Sequence, residues 1–206
     1  MIVVAVVFSS CSKDDNDDDT VVAPTPTSTG SFVDARDNTT YHYVRYGNLE
    51  WTIENLRYVP SEGATVPDLT PKSPRVYDDG VATYYYPIFG LLYNYAAAEA
   101  AIPEGWRLPT DEDWISLENT VGNGVVAKAI SLQLGGLDIE AAGNGYSILD
   151  YTHVFGYYWT ATADKVKGDE ANFAYFRKYT YNNNDLVRES MTKANKLSVR
   201  LVRDAN

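Results

Sequence analysis

Residues 40–53, TYHYVRYGNLEWTI, alternate along two runs, Thr40–Tyr46 and Leu49–Ile53, joined at Gly47-Asn48. Alternation with a period of two marks strands whose side chains point to opposite faces. A Gly-Asn connection of two residues is too short for a crossover, so the runs must lie antiparallel as a hairpin. That commits this part of the chain to an antiparallel sheet. The same texture returns in the last third, where Gly156–Ala163, Ala171–Lys178, Leu186–Ser190 and Leu197–Arg203 read as strands bounded by turn residues.

Between the β-rich parts the pattern changes. Asn94 stands as an N-cap before an Ala-rich run that stops ahead of Pro103. A second helix starts inside PEGWRLPTDEDW, residues 103–114. Thr110 is its N-cap, and Asp111, Glu112 and Asp113 occupy the first turn, where the helix dipole favours negative charge. Asp113 sits at the capping-box offset. Trp114, Leu117 and Val121 recur at i, i+3 and i+7 and predict the buried stripe. Residues 59–80, rich in Pro, Asp and Gly, read as a long loop. The glycines at 122–124, 135–136 and 143–145 read as turns, since no P-loop or GxGxxG spacing appears. Two helices among antiparallel strands make the fold class α+β.

The first 30 residues are expected to lie outside that core, with a buried N-terminal strand as the other reading of the apolar run. Ile2 to Phe8 is an apolar run set before two serines and Cys11. It is far shorter than the roughly 20 residues a membrane span needs. It has the form of an export signal with a small-residue cleavage site, so residues 1–10 are read as a signal peptide. Val-Phe-Ser-Ser-Cys resembles a bacterial lipobox, with Phe8 where a smaller aliphatic residue is usual, and this implies a lipid anchor at Cys11. Residues 11–30 are read as a disordered acidic and Pro/Thr-rich tether, and residues 31–206 as the domain. The run Ser12-Lys13-Asp14-Asp15 resembles the signal that sends lipoproteins of the Bacteroidota to the outer face of the outer membrane. A plain stalk facing the periplasm is the other reading; the acidic run favours the cell surface.

Charge and composition narrow the function classes. A net charge of −11 argues against nucleic acid, whose phosphates need a basic stripe. Cys11 is the single cysteine, so the domain has neither disulfide nor thiol chemistry, and His42 and His153 are a poor inventory for zinc or for catalysis. Asp78-Asp79-Gly80 lacks the alternation and distal Glu of an EF-hand loop. No metal or cofactor is expected.

Six blocks in a fixed order carry a more specific signal. They are Asp34-Ala35-Arg36-Asp37; Gly47 through Trp51 with Glu54-Asn55-Leu56; Gly90-Leu91-Leu92-Tyr93; Pro103 through Thr110 with Trp114; Gly156 through Thr162; and Ser198-Val199-Arg200. Together they resemble the Fibrobacter succinogenes major paralogous domain. The resemblance implies a C-type-lectin-like fold: two helices packed on small twisted antiparallel sheets, N- and C-terminal strands close together, and long irregular loops. GWRLPT before an acidic helix is also similar to the formylglycine-generating branch of that superfold, but the cysteines of that chemistry are missing here. So are the EPN, QPD and WND segments of calcium-dependent lectins. The likeness therefore speaks for fold more than for activity.

The fold-signature residues are Trp51, Trp106, Arg107, Thr110, Trp114, Trp159 and Arg200. The tryptophans fall in periodic segments and are read as core, and Arg107 as a partner of the acidic helix start. Arg107 with Asp111, Glu112 and Asp113 could also be read as an acid/base cluster, but each has a local structural role. Arg200 is expected beneath a sheet edge, paired with Asp37. Neither histidine has a partner nearby in sequence. Recognition is assigned to aromatics in irregular segments, Tyr84, Tyr85, Tyr86, Tyr179 and Tyr181, with Asn183 and Asp185 supplying polar groups for a hydroxyl-rich ligand. The reading is a non-catalytic binding or adhesion module for a glycan or protein, with a structural subunit of a surface assembly or pilus tip as the alternative. An enzyme is the third reading; no residue set at catalytic spacing supports it.

Overall fold

The computed structural model describes residues 24–60, 64–65, 90–122, 137–139, 146–147, 155–166, 168–180 and 183–205, with backbone alone at 64–65, 137–139, 146–147, 155, 179–180 and 183–185. Strand β1 (Ser28–Asp34) begins inside the segment expected as a disordered tether, because Ser28, Thr29 and Gly30 pair with Arg45, Val44 and Tyr43; it then turns through 35–38 into β2 (Thr39–Tyr46), with Ser31 opposite His42. The expected hairpin follows: β2 pairs antiparallel with β3 (Leu49–Thr52), Tyr46 facing Leu49 across Gly47-Asn48. Gly47 has φ 59, the left-handed conformation such a turn requires.

Within the segment expected as a loop, β4 (Ala64–Thr65) forms a short pair with β5 (Leu92–Tyr93). The chain enters β5 through Gly90, at φ 73, where a Cβ would lie 2.6 Å from the Leu56 carbonyl. Helix α1 (Tyr95–Ala100) starts at Asn94, whose side chain accepts the Ala97 amide. Helix α2 (Asp111–Val121) carries the full capping box between Thr110 and Asp113. Trp114, Leu117 and Val121 are buried as the spacing predicts, and Asp111 is buried with them. No helix among the described residues is long and apolar enough to cross a membrane.

The short strands β6 (Leu137–Ile139) and β7 (Tyr146–Ser147) precede three long ones, β8 (Phe155–Ala163), β9 (Phe173–Thr180) and β10 (Asn183–Thr192). The last two are β11 (Lys196–Leu197) and β12 (Val202–Asp204). Three antiparallel sheets result, with strand orders β1-β2-β3-β12, β10-β9-β8 and β4-β5-β11-β6-β7. This is a mixed architecture of mostly antiparallel sheet with two helices, an α+β fold.

The continuous strand expected at Leu197–Arg203 is broken. Leu197 pairs in one sheet, and Ser198 bridges Tyr158 of β8 in the second. The carbonyls of Val199 and Leu201 accept the amides of Leu56 and Thr52, and Val202–Asp204 completes the third sheet beside β3. One segment thus stitches three sheets together, and every residue from Leu197 to Val202 is fully buried. A strand covered on both faces has no reason to alternate polar with apolar residues, which is why its breaks are hard to read from the pattern. The terminal strands β1 and β12 share one sheet as its two outer strands, with β2 and β3 between them.

Two buried clusters form the core. One joins Tyr41, Leu56, Tyr93, Trp106, Trp159 and Leu201 around α1; the other joins Trp51, Trp114, Leu117, Tyr158 and Val202 beneath α2.

Arg36 ties the two ends of the first cluster together. Its guanidinium donates to both carboxylate oxygens of buried Asp34, at 2.9 and 2.7 Å, and to the Ala101 carbonyl at 2.7 Å, just past the end of α1. It also lies 3.8 Å over the Tyr58 ring. A cation at a helix C-terminus is favourable on dipole grounds as well. The Arg36 hydrogen bond holds the Asp34 carboxyl below its ordinary range. A depressed acid stabilises the fold above its unfolded value and loses that stability as pH falls through the folded one. Arg36→Ala is therefore expected to cost about 1–3 kcal/mol near neutrality. In urea titrations at several pH values, the gap to the parent should shrink below about pH 4.

Candidate functional site

The junction 107–113 is where chemistry-bearing residues concentrate, and its backbone explains why they meet. Arg107 and Val202 exchange hydrogen bonds of 2.9 and 3.0 Å, which holds the entry to α2 against β12. Thr110 then caps the helix: its hydroxyl accepts the Asp113 amide at 3.1 Å, and the Asp113 carboxylate accepts the Thr110 amide at 2.7 Å. The same carboxylate takes a two-pronged contact from Arg107, with Asp204 at 3.4 Å on the guanidinium's other side. Burial pushes the Asp113 carboxyl up, but the Arg107 and Thr110 hydrogen bonds outweigh it and hold the group below its usual range. Thr110→Ala should cost about 1 kcal/mol through loss of the cap, read as a shift in the urea midpoint.

Asp111 faces the opposite way. Its amide donates to the Thr162 hydroxyl at 2.9 Å, and its carboxylate is buried against the β8–β9–β10 sheet. There it accepts Arg177 Nε at 2.8 Å and Arg188 Nη1 at 2.9 Å. Arg177 and Arg188 are direct cross-strand partners on β9 and β10. Two like charges opposite each other would repel, and Asp111 set between them reverses the sign of that interaction. Arg177 also donates to the Leu186 carbonyl at 3.2 Å, with Glu118 at 3.6 Å. Arg188 is half exposed and lies 4.7 Å over the Tyr175 ring.

The apparent cluster of Arg107, Asp111, Glu112 and Asp113 is thus two separate devices on opposite sides of one helix start, with Glu112 exposed. Asp111 and Asp113 spend their oxygens on guanidinium and amide donors, an arrangement that fastens a helix to two sheets. Arg177 and Arg188 were not singled out from the sequence. The available signal was a register argument: arginines that face each other across a hairpin demand an anion between them.

Residues 44–143 match the family model of the Fibrobacter succinogenes major domain. The chain carries a domain of that family. A search of curated proteins returns no match, nor does a search of solved structures.

Within the Fibrobacter succinogenes major domain and the strands that follow it, the signature residues are architectural. Trp51, Trp114 and Trp159 are fully buried and Trp106 is nearly so. The Trp159 indole N–H donates to the Tyr93 carbonyl at 2.8 Å, and its ring meets Tyr95 edge-on at 5.4 Å. Trp51 packs on Trp114 at 4.7 Å, and neither buried indole N–H has an acceptor among the described residues. Trp106 stacks on Phe32 at 4.5 Å beneath the Arg203 guanidinium.

Arg200 departs from expectation. It is fully buried, donates to the Thr52 carbonyl at 3.0 Å and lies 5.8 Å over the Tyr158 ring. Burial lowers its proton affinity, with Tyr158 and Glu54 opposing that effect. Those groups stand where Asp37 was expected, while Asp37 caps the turn at Thr39. The correction has a plain cause, since the break after Leu197 carries Arg200 inward, between sheets. His42 is an exposed strand residue, as its alternation implies, but it has a partner twelve positions on: Nδ1 lies 2.7 Å from Glu54 Oε1.

The recognition residues fare differently. Tyr84, Tyr85, Tyr86 and Tyr181 lie outside the described residues, as do Cys11 and Asp78–Gly80. Tyr179 sits in β9 opposite Gly156, and Asn183 and Asp185 lie in β10, where the register shifts between Asn183 and Val187; the side chains of these three are outside the described part. Among the described residues no group of three or more His, Cys, Asp or Glu is placed to hold a metal ion.

Proposed function

We propose that this chain is a non-catalytic binding or adhesion module of C-type-lectin-like fold, held at the outer face of an outer membrane by a lipid on Cys11, with a glycan or protein as its ligand. The observation that carries the reading is the fate of the acidic cluster: Asp111 and Asp113, the groups best suited to acid/base work, are committed to arginines and a helix cap. A scaffold whose charged residues serve its own architecture leaves recognition to its loops. The lectin-like assignment is supported by the two capped helices and by one sheet that contains both terminal strands. The contact surface would be the 59–88 segment with Tyr84–Tyr86 and the end of the β9–β10 hairpin, residues 179–185.

Two experiments test this. The full chain, labelled and applied to a glycan array and to whole cells, should bind above background, and Tyr84→Ala with Tyr181→Ala should abolish the signal. Absence of binding to both would overturn the adhesion reading. Separately, a clickable palmitate analogue should label cells expressing the parent but not Cys11→Ala, and surface protease should remove the labelled product. An unlabelled parent would remove the anchor. A structural role in a surface assembly is the second reading, favoured by the outer edge of β1, which nothing among the described residues pairs with.

A further inference from the structure

The sheet edges of this protein are treated unequally. The outer side of β12 is closed by the bridge to Arg107, and that of β8 by the bridge to Ser198. Among the described residues nothing pairs with the outer side of β10, but it carries Arg188 and Glu189 and an irregular register between Asn183 and Val187. Charges and irregularities of this kind are how natural sheets keep other chains away. Nothing among the described residues pairs with the outer edge of β1, and it has no such protection. Its seven residues, STGSFVD, contain no Lys, Arg or Pro, and the one formal charge, Asp34, is buried and held by Arg36. Val33 on this strand is 57 % exposed.

We infer that β1 pairs antiparallel with β1 of a second copy of this chain about a two-fold axis through Ser31, joining two four-stranded sheets into one. The sequence of the edge chooses this occupant, because β1 is complementary to itself in that register. Ser31 meets Ser31, Thr29 meets Val33, Gly30 meets Phe32 and Ser28 meets Asp34. No like charges oppose, although the chain as a whole carries −11. The β-branched pair Thr29–Val33 covers the exposed valine. Phe32 arrives opposite Gly30, a position already crossed by the Tyr43 ring, which only a residue without Cβ permits. An aromatic set across from a strand glycine is a known way to protect it. The strand's limits hold the register, since Pro24 and Pro26 precede it and the 35–38 turn ends it. An isologous two-fold contact of this kind closes on itself as a dimer. The inference stands on the described sheet and does not depend on what the loops bind.

The test uses the full chain with Cys11→Ser, so that neither a lipid nor the native thiol can link copies. Analytical ultracentrifugation from low to high micromolar concentration should show monomer passing to dimer, and Ser31→Lys, which sets two cations on the axis, should leave monomer with unchanged thermal stability. In the proposed register the two Ser31 Cα atoms lie about 4.5–5.5 Å apart, within disulfide reach. Ser31→Cys should therefore oxidise to a covalent dimer. The two Val33 positions are offset by four residues each, about 13 Å along the strands, so Val33→Cys should not. A chain that stays monomeric throughout, or a dimer in which Ser31→Cys cross-links no faster than Val33→Cys, would overturn the inference.

Discussion

Replacing Asp111 by alanine is expected to cost about 3–5 kcal/mol of folding stability, the scale set by removing one partner of a buried ion pair. Asp111 and Arg177 are both almost fully buried. Without the carboxylate, the Arg177 guanidinium stays in the core and faces Arg188 directly across the hairpin. The Leu186 carbonyl and Glu118, at 3.6 Å, are left to answer Arg177. The loss comes from the like-charged arginine pair more than from the ion pair's own net worth, because desolvating both partners already offsets much of their attraction. The double variant Asp111→Leu/Arg177→Met should therefore recover most of the loss. At about 2–4 °C per kcal/mol for a chain of this size, the single variant should melt on the order of 10 °C lower. Urea unfolding of the parent, both singles and the double closes the cycle. A single-variant loss below about 1 kcal/mol, the range of surface pairs, would mean that water reaches this site.

Trp159→Ala should be similarly damaging, at about 3–5 kcal/mol for a large aromatic removed from a packed core. The more informative comparison is Trp→Phe at two sites. Trp159→Phe loses ring area and also withdraws the donor from the Tyr93 carbonyl, which joins β8 to β5. Trp51→Phe loses comparable area, but its indole N–H has no acceptor among the described residues to forfeit. The Trp159 variant should thus be the less stable of the two by about 1–2 kcal/mol, the cost of a buried polar group deprived of its partner. Equal losses at both sites would show that an unseen acceptor, such as an internal water, serves Trp51 as well.

Local structure was legible wherever it is set by neighbours in sequence. The Asn94 and Thr110 caps, the Asp113 capping box, the Trp114–Leu117–Val121 stripe and the Gly47-Asn48 hairpin each depend on residues within a few positions of one another. Their physics is short-ranged and so is their signal. The pairing of Arg107 with an acidic neighbour belongs to the same class, at a separation of six. Asp111 shows the limit. Its position in the first turn reads as a favourable charge at a helix start, and that reading is correct, but its partners lie 66 and 77 residues away.

The sequence by itself determined the α+β class, the helix starts, the core tryptophans and the family of the domain, because periodicity, capping and ordered motif blocks are written in local spacing. Only the tertiary structure decided that one acidic cluster is two opposed clamps and that Arg200 faces Thr52 and Tyr158. It also decided that the final segment crosses three sheets and that, among the described residues, nothing pairs with the outer edge of β1. Those facts arise when distant strands meet. Burial and charge compensation depend on which surfaces close over a residue, and no spacing along the chain records that.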